Sequence, residues 1–301
     1  MSVARSQVVR TRAARIGLLA LAGGACALSL SPIFVRLSEL GPIATGFWRV
    51  AFAAPVLLSW MRLERGEDGA RTPRRAGDWG LLALAGLFFA ADLTAWHWSL
   101  QLTSVANAAL LSNLSPIVVA PAARLLFGER IAPRFVAGML LSVSGAALLL
   151  GRSLDVSLET ALGDALALAA SVLYAGYVLT VAKLRTRLSA ATIMAWSAPA
   201  SALFLVPAVL VSGETFVADT PYGWLVLLAL ALVTHCAGQG SIAYALAHLP
   251  ASFSSVALLV TPVISAFLGW IVFAEPVGGL QALGAGIVLA GIVVARPVGR
   301  A

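Results

Sequence analysis

The chain can be laid over itself with an offset of 146 residues. Leu100 then falls on Leu246, Pro116 on Pro262, Phe127 on Phe273, Glu129 on Glu275, Gly138 on Gly284 and Gly145 on Gly291. The same shift carries Gly17 onto Gly163, so the repeated unit spans half the protein, residues 1–157 followed by 158–301. Each half holds five apolar segments, and five is odd. If every segment crosses a bilayer, the second half runs upside down relative to the first, the inverted-repeat plan on which many secondary transporters are built.

The apolar segments lie at about 16–37, 43–61, 79–101, 104–127, 132–151, 162–183, 190–211, 222–246, 251–273 and 278–296, each near the ~20 residues that a helix needs to cross a membrane. With 60% hydrophobic and 11% charged residues, the chain carries more apolar surface than one water-soluble core can hide. The predicted fold is all-α and integral to the membrane, ten transmembrane helices in two inverted five-helix repeats. The joints are too short for a separate soluble domain.

A net charge of +7 would suit a nucleic-acid partner if the charges were clustered, but they follow membrane topology instead. With the N-terminus in the cytoplasm, Arg5, Arg10, Arg12, Arg15, Arg62, Arg65, Arg71, Arg74, Arg75, Arg124, Arg130, Arg134, Lys183, Arg185, Arg187, Arg296 and Arg300 all fall on the cytoplasmic side. Arg36 and Arg152 are left at the outer boundary, and Arg49 lies inside a span. The positive-inside rule therefore places both termini in the cytoplasm, in a multi-pass protein of the cytoplasmic, or inner, membrane. The first apolar run continues past Cys26 to Val35 with Gly23 three residues before the cysteine, which favours an uncleaved span over a signal peptide. Cys26 and Cys236 both fall within spans and form no disulfide framework.

In each half the fourth span carries a proline, Pro116 after Ser115 and Pro262 after Thr261. Each frees a backbone carbonyl in lipid and is expected to kink its helix. Each fifth span has two glycines seven residues apart on one face, which lets backbones approach closely; the adjacent fourth span is the expected partner. Glu129 and Glu275 are expected to cap the helices that follow them through the helix dipole, with a paired gating role as the alternative.

Asp92 is the one acidic residue deep in a span, roughly 13 Å from the end by the helical rise. Arg49 is counted at about 9 Å depth, within reach of an ion pair with Asp92. Intramembrane ionisable residues commonly mark proton or substrate pathways; a static link between spans is the other reading. His235 and Gln239 share a face of the eighth span, near the repeat equivalent of Asp92. Trp96 follows Asp92 by one turn, and Tyr174 and Tyr177 share one face of the sixth span. Asp92, Arg49, Trp96, His235, Gln239, Tyr174 and Tyr177 are the candidate substrate or coupling residues. Asn107 and Asn113 lie about 240° apart around the helix, so they do not both face one cavity, and one of them is expected to bridge helices. His97 and His248 are placed near span ends, and Trp48, Trp60, Trp79, Trp98, Trp224 and Trp270 fit an interfacial belt.

The two five-span copies, the passage from Trp98 to Arg134 (WSLQLTSVANAALLSNLSPIVVAPAARLLFGERIAPR) and its echo from Tyr244 to Pro276 resemble the drug/metabolite transporter superfamily, specifically its ten-span EamA-type permeases. The resemblance implies a carrier of small organic solutes. It does not select among amino-acid exporters, multidrug pumps and carriers of phosphorylated metabolites. An exporter of amino acids, aromatic ones included, working by alternating access is the leading expectation, and efflux of lipophilic cations is the alternative. The proton is the candidate coupling ion. No cofactor, metal or nucleic-acid partner is expected. Lipid surrounds the protein, and ten spans suffice to enclose a cavity within a monomer. An intramembrane enzyme, the rival class, lacks its usual signatures here: there is no His-Glu-x-x-His motif, no Gly-x-Ser-x-Gly elbow and no pair of carboxylates within one span. No phosphate-binding Gly-x-x-x-x-Gly-Lys-Ser/Thr loop is present to drive transport by nucleotide hydrolysis.

Overall fold

The computed structural model describes residues 2–64, 72–103, 105–150, 160–274 and 278–296. Glu275, the repeat mate of Glu129, lies outside the described residues. Among these residues all regular structure is helical: α1 (Ser2–Leu28), α2 (Ser31–Leu37), α3 (Pro42–Glu64), α4 (Ala76–Leu102), α5 (Val105–Ser112), α6 (Ser115–Phe127), α7 (Pro133–Leu150), α8 (Ala161–Arg185), α9 (Ala190–Ser212), α10 (Pro221–Ala229), a π-helical segment (Leu230–Gln239), α11 (Gly240–Ala245), α12 (Ala251–Ala257), α13 (Val260–Phe273) and α14 (Gly279–Ala295). Eight stretches are long and apolar enough to cross a membrane: α1 from Ala13 continued into α2, α3, α4, α5 with α6, α8, α9, α10 through α11, and α12 with α13. Two further apolar helices, Pro133–Leu149 and Gly279–Ala295, are shorter. This is a multi-pass membrane protein.

Three of the long stretches are broken, each at a hydroxyl residue followed by proline. Ser31-Pro32 opens α2, Ser115-Pro116 opens α6, and Thr261-Pro262 lies in the first turn of α13. Proline cannot donate to the carbonyl four residues earlier and clashes with it. Water is scarce in such a core, so neighbouring groups take over. The Thr261 hydroxyl donates to the Leu258 carbonyl at 2.7 Å, the one that Pro262 leaves without its helical donor. The Ser265 hydroxyl donates across to the Ser29 carbonyl at 2.8 Å. The helices are interrupted beside Pro116 and Pro262, and beside Pro32 as well.

Helices of the two halves pack on each other in antiparallel pairs, and glycines permit the closest approaches. A Cβ on Gly138 would sit 2.4 Å from the Ala295 nitrogen, and one on Gly145 2.6 Å from the Val288 nitrogen. The paired glycines of α7 therefore face those of α14, and the Ser142 hydroxyl donates to the Val288 carbonyl between them. The principal partner of each fifth-span helix is thus the other one rather than the adjacent fourth span, because only glycine backbones fit this closely. α4 runs against α8, α3 against α9, and α1 against α11 with the π-segment.

Helix ends are tied by polar groups from the opposite half. Arg187 pairs with Asp78 at 3.0 Å, and the Ser189 hydroxyl donates to Glu64. Both contacts lie at the end that carries Arg62, Arg74, Arg124 and Lys183, called the basic end below. At the far end, Glu214 accepts from the Ala44 nitrogen at 2.7 Å, and Glu39 accepts from the Asp219 and Thr220 nitrogens at 3.0 and 3.1 Å.

Candidate functional site

A cavity of about 440 Å³ lies between the two halves, within the size range of small-molecule sites. The three broken helices frame it: Ser31, Pro32, Ser115, Thr261 and Pro262 all line its wall. Many of its other lining residues come from the middle of the helices or from their halves away from the basic end, including Ala109 and Asn113 on one side and Ser265 and Ala266 on the other, while Ser255 and Gln239 reach it from the halves nearer the basic end.

Five of the seven candidate residues, Asp92, Arg49, Trp96, Tyr174 and Gln239, line this cavity. Arg49 is buried and reaches it from α3. Its Nη1 donates to the Ser31 hydroxyl at 3.2 Å, and its guanidinium carbon lies 5.5 Å from the centre of the Phe89 ring, a cation–π arrangement. Its Nε and Nη2 have no hydrogen-bond partner. Asp92, on α4, has no hydrogen-bond or ion-pair partner among the described residues. The direct ion pair expected between them is therefore not closed: the two opposite charges share one cavity, each incompletely satisfied. The Tyr174 hydroxyl faces the Gln239 carboxamide, yet neither Tyr174 Oη nor Gln239 Oε1 completes a hydrogen bond of good geometry.

His235 and Tyr177 stand one layer back. The Phe89 ring separates them from the cavity, with its centroid 5.2 Å from the His235 ring and 5.0 Å from the Tyr177 ring. The Tyr177 hydroxyl turns away to the Met194 sulfur at 3.6 Å. His235 and Gln239 belong to the π-segment, whose i→i+5 bonding adds a residue to the turn; such segments recur at functional sites. Pro116 is buried beside the lining residue Ser115.

Asn113 lines the cavity while Asn107 bridges helices, its Nδ2 donating to Asp164 at 2.9 Å beside the Thr103 hydroxyl at 2.6 Å. His97 is only 1% exposed, with both ring nitrogens unpartnered, so it belongs to the interior rather than to an interface. The packing of α3 covers it; a Cβ on Gly46 would stand 3.3 Å from its ring. Glu129 caps a helix as expected, but that helix is α12 of the other half rather than α7. Phe89, Ser31, Ser255, Ser265 and Gln281 complete the wall without having been singled out in the sequence.

The model of the EamA-like transporter family matches the chain twice, over residues 15–151 and 161–296. The chain belongs to the EamA-like transporter family. It is a membrane transporter of small solutes, not an enzyme. An uncharacterized transporter of Archaeoglobus fulgidus is 29% identical over 266 residues, which cover 86% of this chain and 90% of that protein. A protein of known crystal structure superposes with a TM-score of 0.77 at 20% identity, covering 95% of this chain and 96% of the other. At that identity the likeness speaks for a shared fold alone. For an EamA-like transporter, a polar cavity ringed by helix breaks and lying between the halves is where a substrate site is expected.

Proposed function

We propose that this EamA-like protein is a secondary exporter of amino acids, aromatic ones included, and that Asp92 and Arg49 form the heart of its site. Unpartnered opposite charges on one cavity carry the reading. A buried charge without a partner is costly, and a zwitterion supplies both missing partners at once: its carboxylate to Arg49, beside Tyr174 and Gln239, and its ammonium to Asp92. Trp96, Phe89 and Leu93 offer apolar surface for the ligand's side chain. A sugar phosphate would bring more negative charge than one guanidinium offsets in a low-dielectric site. His235 and Tyr177 hold Phe89 in place from behind.

In this reading α7 and α14 also cross the membrane, giving ten spans as two inverted copies, residues 1–157 and 158–301, with both termini in the cytoplasm of a cell whose inner membrane holds the protein. The twofold match to the family model and the pairing of equivalent glycines support the duplication. The basic end supports the orientation. The site then alternates between the two sides, with a proton as the candidate counter-ion, and one chain suffices.

Efflux of lipophilic cations is the second reading, favoured by the unpaired Asp92 beside Trp96 and Phe89. The two readings divide on Arg49, which a cation does not need. Proteoliposomes holding wild type, Asp92→Asn and Arg49→Gln are loaded with labelled amino acids or a lipophilic cation dye. Amino-acid counterflow is expected in wild type and should fall at least tenfold in each variant, the loss of one charge-assisted contact worth about 1.5–3 kcal/mol. Cation transport lost with Asp92→Asn but kept with Arg49→Gln, in the absence of amino-acid counterflow, would transfer the assignment to the second reading.

A further inference from the structure

The pairs of helices that bridge the two halves are not all fastened alike. α3 and α9 are tied at both ends, by Glu64 to Ser189 at the basic end and by Glu214 to Ala44 at the other. α4 and α8 are likewise tied at both, by Asp78 to Arg187 and by Asp164 to Thr103 and Asn107. The fourth and ninth spans are different. At the basic end α6 packs on α12, and the Glu129 carboxylate, just beyond α6, accepts from the Ala251 nitrogen at 2.8 Å, the Ser252 nitrogen at 3.2 Å and the Ser252 hydroxyl. Toward the other end α5 and α13 diverge, and the cavity lies between them, with Ala109, Ser112 and Asn113 facing Ser265 and Ala266 across it.

We propose that Glu129 is the residue that holds the cavity shut toward the basic end, a latch joining the fourth span of one half to the ninth span of the other. The proposal rests on the alternating-access reading above but not on the identity of the ligand. Three features favour a releasable latch over a plain structural cap. The bond is made by a carboxylate accepting from two successive backbone N–H groups at a helix start, where donors lack intrahelical partners and negative charge is favoured. Both spans it joins are broken halfway along, at Ser115-Pro116 and at Leu258 to Pro262, so α6 and α12 can move without carrying α5 and α13 rigidly with them. The packing is also uneven among the described residues: α6 rests on α12, whereas its repeat counterpart, α5 against α13, is not a packed pair. Packed helices at one end of a repeated structure and a cavity between the equivalent helices at the other are what a barrier closed on one side only would leave. Glu129 is thus a positioning residue: it touches no ligand and sets which side can reach the site.

The test reads access to the cavity and needs no substrate. In a background with Cys26 and Cys236 replaced by serine, Ser115→Cys places a thiol on the cavity wall. A membrane-impermeant thiol reagent is applied to right-side-out and to inside-out vesicles, and the labelling rate from each side is measured. With Glu129 intact, labelling from the side opposite the basic end should dominate. Adding Glu129→Gln, which keeps the shape but faces the α12 N–H groups with half the acceptors and no charge, should raise the relative rate from the basic end roughly tenfold, as expected when charge-assisted bonds are lost from one state of a two-state equilibrium. Glu39→Gln is the control. It removes another carboxylate shared between the halves, at the far end, and should leave the basic-end rate low. An unchanged ratio with Glu129→Gln, or an equal change with Glu39→Gln, overturns the proposal. If Glu129→Gln fails to accumulate as folded protein, Ser252→Ala, which removes only the hydroxyl donor, takes its place; a smaller shift in the same direction is expected, and none overturns the latch. Failure of the amino-acid assignment would leave this labelling pattern untouched.

Discussion

The contact between α7 and α14 makes a prediction with a control on the same helix. Gly284 and Gly286 are two residues apart on α14, yet a Cβ on Gly284 would lie 2.5 Å from the Leu149 nitrogen and 2.8 Å from the Gly145 carbonyl oxygen, whereas one on Gly286 would meet nothing within 4 Å. Gly→Ala at either position gains the same helix propensity, about 0.8–1 kcal/mol in soluble hosts, so that contribution cancels in the comparison. What remains is the clash. Ordinary contacts begin at 3.4 Å, and the obstructing atoms are backbone, which no rotamer change can move aside. The two helices must separate along much of their length. Overpacking of this kind costs about 1–3 kcal/mol, and Gly284→Ala should be less stable than Gly286→Ala by that amount.

The measurement is thermal unfolding of both variants in one detergent, followed by tryptophan fluorescence. At roughly 2–4 °C per kcal/mol for chains of 150–250 residues, the expected gap is several degrees, with Gly286→Ala at or above wild type. The same separation would shift Leu149 and Gln281, which line the cavity, so Gly284→Ala should also slow transport. Equal melting temperatures for the two variants would show that α7 and α14 do not pack backbone to backbone, and the account of the glycine pairs would fall with it.

Two other outcomes are expected. In the cysteine-replaced background, Asp219→Cys should react with an impermeant thiol reagent in intact cells and Arg74→Cys only after the membrane is opened; the reverse pattern refutes the orientation. For Glu39, the Thr220 hydroxyl lowers the carboxyl below its usual value of 4.5, opposed by partial desolvation and assisted by the Thr220 and Asp219 backbone N–H groups. A lowered folded-state value means stabilisation that is complete above 4.5 and lost as pH falls through that lowered value. The stability difference between wild type and Glu39→Gln should therefore be constant near neutrality and shrink in acid, and a difference that stays level down to pH 3 would contradict the cap.

Much of the candidate site is legible in the sequence because a membrane makes polar residues conspicuous. Asp92, Arg49 and Gln239 stand out in apolar runs, and Trp96 and Tyr174 lie at helical spacing from the other candidates. The hydroxyls were not legible. Serine and threonine in a helix often bond to their own preceding turn, as Thr94 does to Ala90 at 2.9 Å, so nothing in the sequence separates those from Ser31 or Ser265, which bond across helices. Gln281 was hidden because the fifth and tenth spans read as scaffold. His97 was misplaced because counting along a span gives depth but not which neighbour covers the ring. The π-segment has no residue signature of its own. The target of Glu129 lies 122 positions away, and local capping rules see only the helix that comes next.

Several features that cost this fold stability lie beside one cavity. Three proline breaks, a π-segment, a guanidinium with two unpartnered nitrogens and a carboxylate without a partner among the described residues lie at or beside it, whereas the helix ends away from it are tied by an ion pair, caps and close glycine contacts. In lipid an unsatisfied polar group has no water to fall back on. Other such features lie elsewhere, in the helix prolines Pro55, Pro121, Pro199 and Pro207 and in the unpartnered His97 and Trp196, but at the cavity two opposite charges without full partners share one space. In the proposed mechanism a ligand that supplies those partners would bind there and, by satisfying Arg49 and Asp92 together, would remove an electrostatic obstacle to bringing α5 and α13 closer. If the fourth and ninth spans close over it at one end, the proposed latch would let them part at the other only once the Glu129 contact is released. On that proposal the same groups that mark the candidate site would give the ligand a means of biasing which end is open.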